Sequence, residues 1–195
     1  MIARVAPVFG LMAFAILLAA APAAHAQTTV LAPVQQNNDF QEATVLYRSG
    51  KYEGAMERID VWLKTRPKDA RGRFLRGMIF TQQKKLDEAV RIYADLTQDF
   101  PELPEPYNNL AVIYADKGDF DKALTLLESA VRANASFTAA HENLGDIHAR
   151  LAAASYEKAL KLDATNKAVV TKLKAVNDMI PARNPAANAS PAKPK

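Results

Sequence analysis

Small residues recur along this chain at a spacing of 34 positions, and this period constrains the fold more than any other feature. One series consists of Ala55, Ala89 and Ala123. A second series keeps the same spacing and consists of Ala43, Gly77, Ala111 and Gly145. A period of this length is typical of stacked repeats, in which each repeat is one supersecondary unit. We therefore divide the chain into units at residues 36–69, 70–103 and 104–137, with a shorter fourth unit at 138–166.

Each unit has the pattern of two amphipathic helices joined by a turn. In the third unit, apolar residues at helical spacing mark the first helix: Tyr107, Leu110, Ala111 and Tyr114. A Lys117-Gly118-Asp119 turn follows. The second helix has its own apolar face, formed by Phe120, Ala123, Leu124, Leu127 and Val131. Pro67 and Pro101 end the second helices of the first two units, because proline cannot continue a helix. The pattern predicts helical hairpins whose small residues allow close crossings.

The third unit resembles the tetratricopeptide repeat (TPR), which has an aromatic residue, Leu, a small residue and Tyr in its first helix. Its second helix matches the family at Ala123 and Leu127, and Ala135 stands where the family has proline. The second unit keeps Gly77, Phe80, Ala89, Tyr93 and Pro101. The first unit keeps Ala43, Leu46, Ala55, Ile59 and Pro67. The resemblance covers residues 36–166 and implies an all-α, TPR-type helix-turn-helix solenoid.

Two usually apolar positions of the first helix are charged in the first two units. They hold Asp39 and Glu42 in the first unit and Arg73 and Arg76 in the second. We interpret the polar residues of the first unit as the outer face of a terminal repeat, which meets water. The matched positions also lead to the hypothesis that the two arginines pair with the two carboxylates.

The fourth unit departs from the period because five residues are missing from its turn. Ala152 lies 29 positions after its equivalent Ala123, and only Arg150 and Leu151 remain between the two helical stretches. Two residues are too few to reverse a helix here. The surrounding sequence is rich in helix formers and has no Gly, Pro or Asn. We therefore predict one fused helix over residues 139–162.

A final helix is predicted at residues 167–180. Its apolar stripe consists of Val169, Leu173, Val176 and Ile180. If this helix folds back onto the fused helix, it caps the solenoid. If it does not, the fused helix is an exposed docking or dimer surface.

The first 26 residues have the pattern of a secretory signal peptide. Arg4 precedes an apolar stretch, and Ala24-His25-Ala26 supplies the small residues that a signal peptidase needs. We predict cleavage after Ala26 and a periplasmic location. The alternative is an uncleaved membrane anchor. Residues 27–35 are predicted to be a flexible N-terminal segment, and the Pro/Ala-rich tail at 181–195 is predicted to be disordered.

No residue pattern predicts an enzyme, a cofactor or a metal site. The chain has no cysteine, and its glycines stand singly rather than in a phosphate-binding loop. His141 and His148 are too far apart along a helix to bind one ion. They share the positions of Tyr107 and Tyr114, so we predict that they are partly buried. Trp62 is predicted to fill the core.

The charge pattern gives no indication of nucleic-acid binding. The net charge of +4 arises from the two ends of the chain, and residues 27–180 carry equal numbers of interspersed acidic and basic residues.

The function implied by the resemblance is protein binding, because TPR first helices line a concave groove that holds a peptide or a helix of a partner. The corresponding residues are Phe40, Thr44, Tyr47, Arg48, Phe74, Met78, Thr81, Asn108, Val112, Asp116, Glu142 and Asp146. We predict a periplasmic adaptor whose partners are other envelope proteins or peptides, with membrane contact only if the signal stays uncleaved. The alternative is a self-associating structural protein that forms a homodimer through its C-terminal helices.

Overall fold

The computed structural model describes residues 32–180, and all regular secondary structure in that range is helical. In chain order the helices are α1 (Ala32–Arg48), α2 (Tyr52–Thr65), α3 (Ala70–Gln82), α4 (Leu86–Asp99), α5 (Pro104–Asp116), α6 (Phe120–Ala133), α7 (Thr138–Leu162) and α8 (Lys167–Met179). The predicted signal peptide and the tail at 181–195 lie outside the described residues. Because α1 begins at Ala32, the end of the segment that we predicted to be flexible is helical.

Each helix packs against the next one along the chain, which builds the hairpins α1–α2, α3–α4 and α5–α6. First helices of neighbouring repeats also meet, α1 with α3 and α5 with α7. One buried apolar cluster extends from α1 to α5, and a second joins α5, α6 and α7. The prediction of an all-α solenoid built from helix pairs is therefore confirmed.

In the first three repeats, the small residues with the 34-residue spacing lie where helices cross. Those of the first three repeats are at most 1% exposed: Ala43, Ala55, Ala89, Ala111 and Ala123. Gly77 marks a tighter crossing, since a Cβ atom there would lie 2.7 Å from Cε1 of Tyr93. The tyrosine ring of α4 thus lies directly against the bare backbone of α3.

Trp62 fills the core where α1, α2 and α3 meet, as predicted. It is 4% exposed, and its ring centroid lies 5.4 Å from that of Phe40. Its Nε1 donates a hydrogen bond to Asp69 Oδ1 at 3.2 Å. The same oxygen accepts from the backbone N–H of Gly72 at 2.6 Å, which caps the N terminus of α3. Burial of the indole therefore leaves no unsatisfied donor.

The fused helix is confirmed, because α7 continues without a break from Thr138 to Leu162. The capping helix α8 folds back and packs against α7, with the predicted apolar stripe half-buried: Val169, Leu173, Val176 and Ile180. No residue of α8 is fully buried, so the end of the solenoid is thinly covered. Among residues 32–180, no helix is long and apolar enough to cross a membrane.

The predicted pairing between charged residues of the first two repeats is wrong. Arg58 of α2 pairs with Asp39 and Glu42, at 3.4 and 3.2 Å. Arg73 pairs with Asp99 of α4, and Arg76 pairs with Asp60 of α2. Residues at equivalent positions of successive first helices point in the same direction, so they meet the second helices rather than each other.

The outer-face interpretation of Asp39 is also wrong, because this residue is only 1% exposed. It faces α2, where the guanidinium of Arg58 compensates its charge. A buried carboxylate requires such a partner, since desolvation without one is costly.

The predicted burial of His141 and His148 is wrong as well, because both side chains are exposed. Their equivalents Tyr107 and Tyr114 are half-buried. In the third repeat, α6 folds back beside α5, and Lys122 of α6 lies 3.9 Å from the Tyr114 ring centroid. Because α7 continues straight, no second helix returns to cover the two histidines.

Candidate protein-binding face

The predicted binding residues all lie on the first helices α1, α3, α5 and α7, and we call the surface that they mark the first-helix face. Their exposure differs widely. The exposed members are Arg48, Asp116 and Glu142. The half-buried members are Phe40, Thr44, Tyr47, Thr81, Val112 and Asp146. Three members, Phe74, Met78 and Asn108, are buried.

The aromatic residues of this face turn towards the hairpin cores. The Phe74 ring centroid lies 5.7 Å from that of Tyr93, and Phe40 packs against Trp62 in the same way. The N-terminal part of the first-helix face is therefore less apolar at its surface than its composition suggests.

A cleft of about 70 Å³ lies between α3 and α5. These two helices approach each other less closely than α1 approaches α3 or α5 approaches α7. The cleft is lined by Met78, Thr81, Gln82, Lys84, Leu86, Tyr93, Asn109, Val112, Ile113 and Asp116. The structure thus brings four of the predicted residues together in one cavity: Met78, Thr81, Val112 and Asp116.

A directed chain of hydrogen bonds connects the walls of the cleft. Thr81 Oγ1 donates to the carbonyl oxygen of Gly77 at 2.9 Å, so the threonine hydroxyl has no second proton to donate. Tyr93 Oη therefore donates to Thr81 Oγ1 at 3.4 Å, and it accepts from Asn109 Nδ2 at 3.2 Å. This arrangement satisfies the buried tyrosine hydroxyl as both donor and acceptor, as a buried polar group requires.

Two further amides extend the chain of hydrogen bonds to α7. Asn143 Nδ2 donates to Asn108 Oδ1 at 2.7 Å, and Asn108 Nδ2 donates to Asn109 Oδ1 at 3.4 Å. Asn108 is 2% exposed. This residue, predicted to contact a partner, links α5 to α7.

Burial raises the pKa of Tyr93 to about 12, and the hydrogen bonds with Thr81 and Asn109 offset only part of that rise. Burial also raises the pKa of Tyr47, and the nearby side chain of the cleft residue Gln82 offsets part of that rise. Both phenols are therefore neutral at physiological pH, and the polar groups at the base of the cleft carry no charge.

Lys84 adopts a strained backbone conformation beside the cleft. Its φ is 61°, and it is the one non-glycine residue with positive φ in residues 32–180. The equivalent turns of the first and third repeats have glycine, Gly50 with φ 74° and Gly118 with φ 83°. A side chain in this conformation costs about 1–2 kcal/mol. This strain leads to the hypothesis that the lysine side chain has a role at the cleft.

The cleft combines charged and apolar side chains. Lys84 and Asp116 are exposed cleft residues of opposite sign, while Met78, Leu86, Val112 and Ile113 provide apolar walls. In the described part of the chain, no group of three or more His, Cys, Asp and Glu side chains could hold a metal ion.

Sequence reasoning missed Tyr93, Asn109 and Lys84 as site residues. Lys84 carried a usable signal, because it stands where the 34-residue spacing places a turn glycine. Tyr93 and Asn109 carried none, because their roles depend on the gap between α3 and α5.

Comparisons with known proteins agree with this architecture. Two sequence profiles of the tetratricopeptide repeat match residues 40–104 and 80–147, which together span more than half of the chain. Among solved structures, the chain is similar to YrrB, described as a TPR protein with an unusual peptide-binding site, at 25% identity and a TM-score of 0.51. That match covers 55% of this chain and only 56% of YrrB.

Two further solved structures show the same fold. TTC0263, a thermophilic TPR protein of Thermus thermophilus, is 22% identical with a TM-score of 0.56, over 74% of this chain and 82% of that protein. The pilF protein of Pseudomonas aeruginosa is 16% identical with a TM-score of 0.56, over 74% and 68% of the two chains. No curated protein sequence matches the chain.

Proposed function

The chain belongs to the tetratricopeptide repeat family, and we propose that it is an adaptor that binds a segment of another protein on its first-helix face. The observation that carries this proposal is the cleft between α3 and α5, which combines apolar walls with a neutral hydrogen-bonded base. Such a site holds a side chain and fixes its orientation, as ligand sites in proteins do. The peptide-binding site of the similar protein YrrB supports the same interpretation.

The size of the cleft selects the anchoring side chain. A cavity of about 150 Å³ accommodates benzene, so a cleft of about 70 Å³ suits an aliphatic side chain better than an aromatic one. Lys84 and Asp116 would then contact charges that flank the anchor. The preferred ligand is a short segment with one aliphatic anchor between an acidic and a basic residue.

We further propose that the adaptor acts in the periplasm on envelope proteins and has no catalytic role of its own. The pattern of residues 1–26 supports export. The cleft supports a role in binding, because its base consists of neutral hydroxyls and amides, which are poor acids and bases near neutral pH.

Selection of a random-peptide display library on the purified protein tests the binding proposal. We expect enriched peptides with an aliphatic residue flanked by opposite charges. Their binding should fall at least about tenfold in Val112→Lys, because a charged chain would occupy the apolar wall. Lys84→Glu should reduce binding of the acidic flank by a smaller factor.

Two matched controls lie outside the cleft. Val61→Lys changes a valine on α2 that is 41% exposed, and Lys68→Glu reverses a charge in the turn before α3. Both should bind the selected peptides as the wild type does. Peptides that bind Val112→Lys equally well, or a selection without any enrichment, would refute the assignment of the cleft.

The location has its own test. The intact mass of the protein from a periplasmic fraction should correspond to a chain that begins at Gln27. A protein that retains Met1 and stays with the cytoplasm would contradict export, without affecting the peptide-binding result.

A further inference from the structure

The first half of α7 has an open face at a position that is covered in the other repeats. A Cβ atom at Gly145 would meet no atom within 4 Å, whereas one at Gly77 would lie 2.7 Å from Tyr93. The equivalent residues Ala43 and Ala111 are at most 1% exposed. In the fourth repeat, no second helix within residues 32–180 therefore packs over the crossing position at Gly145, although glycine there would allow a close contact.

The second half of α7 carries the residues of that missing helix. In the third repeat, the covering residues Ala123, Leu127 and Ala130 are at most 1% exposed. Their equivalents, 29 positions later, are Ala152, Tyr156 and Ala159. These three remain only half-buried even though α8 packs against α7. Both sides of a hairpin interface are thus present on opposite halves of one straight helix.

The pairing of residue sizes is also preserved. Where the crossing residue is alanine, an aliphatic residue stands sixteen positions later: Ile59 after Ala43, and Leu127 after Ala111. Where it is glycine, the partner is a tyrosine, Tyr93 after Gly77. The fourth repeat keeps glycine with tyrosine, as Gly145 and Tyr156. These lie eleven residues apart on one helix, about 16 Å, so they cannot touch within the chain.

We propose that α7 pairs antiparallel with α7 of a second copy of this chain, so that Tyr156 of each copy covers Gly145 of the other. The two-fold axis then passes midway between these positions, beside Arg150 and Leu151. The contact face consists of residues three or four positions apart: His141, Gly145, His148, Ala152, Tyr156 and Ala159. Each copy presents the same surface, as a two-fold interface requires.

The reciprocal contact between Gly145 and Tyr156 requires an antiparallel pair, and the distribution of charge along α7 favours the same orientation. Residues 138–149 contain Glu142 and Asp146 but no Lys or Arg. Residues 150–162 contain Arg150, Lys158 and Lys161 with a single acid, Glu157. An antiparallel pair brings the acidic half of each helix alongside the basic half of the other, whereas a parallel pair would align like charges. Most of these side chains lie outside the contact face, so they act over a distance rather than as direct ion pairs.

The short connection explains why the covering helix comes from another molecule. Turns in the earlier repeats reverse the chain with several more residues, and α7 has lost them. A connection too short to reverse favours exchange of the element between two copies. This surface lies on α7 and is distinct from the cleft between α3 and α5.

Sedimentation velocity of the purified protein tests the pairing. The wild type is compared with variants in which one or both residues of the Gly145–Tyr156 pair are replaced. Wild type should be a dimer. Gly145→Ala should weaken it at least about tenfold, because the new Cβ meets the partner's tyrosine ring. Gly145→Ala with Tyr156→Leu copies the pair of the third repeat and should restore the dimer. Misfolding cannot explain a loss in Gly145→Ala, since the space at Gly145 is open in the single chain.

A cross-linking experiment tests the orientation. Because the chain has no native cysteine, any disulfide must form between the introduced residues. Oxidation of a mixture of the Gly145→Cys and Tyr156→Cys variants should yield a disulfide-linked dimer. Each variant alone should not, because identical positions lie about 16 Å apart in the antiparallel pair. A wild type that is monomeric throughout the micromolar range, or a cross-link from a single variant instead of the mixture, overturns the proposal.

Discussion

In the second repeat, the ring of Tyr93 covers Gly77 within one hairpin, whereas in the fourth repeat the space beside Gly145 is empty. Both repeats have glycine and tyrosine at the two packing positions. The second repeat has a turn centred on Lys84 that reverses the chain, and the fourth has only Arg150 and Leu151 between its halves.

The comparison shows that the length of the connection, rather than the packing residues, decides whether a pair closes within the chain. A strained turn at Lys84 is tolerated because it returns α4 to α3 and buries Tyr93 completely. Without enough residues for a turn, the strong helix formers of α7 continue the helix.

The largest expected effect comes from restoring the missing connection. Replacing Arg150 and Leu151 by a copy of residues 116–122 returns the fourth repeat to the 34-residue period. We expect the second half of α7 to fold back over Gly145 and the protein to become monomeric. Sedimentation velocity and hydrogen exchange near Gly145 measure both changes. If this variant associates like the wild type, connection length is not the deciding factor.

Alanine at the two glycines should have opposite effects. Gly77→Ala should destabilise the protein by about 1–3 kcal/mol, because the buried Tyr93 ring cannot move away from the new Cβ. Gly145→Ala should stabilise the single chain by about 0.5–1 kcal/mol, because alanine favours the helix and the space is open. Urea denaturation at low protein concentration compares them. Equal effects would mean that the two crossings do not differ as described.

The covered tyrosine should also create a dependence on alkaline pH. The pKa of Tyr93 is raised from 10.0 to about 12, so folding favours the neutral phenol. That stabilisation is complete below pH 10 and is lost as pH rises towards 12. We expect the wild type to lose about 2–3 kcal/mol more than Tyr93→Phe over this interval. Denaturation curves for both proteins measure the difference, and parallel losses would contradict the burial of the hydroxyl.

The smallest expected effect concerns the turn that closes the second hairpin. Lys84→Gly removes backbone strain but increases the freedom of the unfolded chain, so stability should change by less than about 1 kcal/mol. Binding of the selected peptides should nevertheless weaken. Thermal unfolding and a peptide titration separate the two properties. Unchanged binding would show that the lysine is not retained for recognition.

The helical repeats and the fused helix of the fourth unit could be predicted from the sequence. These features depend on local patterns: the spacing of small residues, the apolar period of each helix and the lack of turn residues beside Arg150. The predicted binding residues could be placed on first helices for the same reason. The signal peptide and the tail remain predictions.

The partners of individual side chains were decided by the tertiary structure alone. Asp39 meets Arg58 instead of an arginine at a matching position, and the hydroxyl of Tyr93 joins Thr81 to Asn109 across three helices. His148 is exposed although its equivalent Tyr114 is half-buried. A period in the sequence determines which face of a helix a residue occupies. Which element lies opposite that face depends on how the chain returns, and this is set by connection lengths and packing between distant segments.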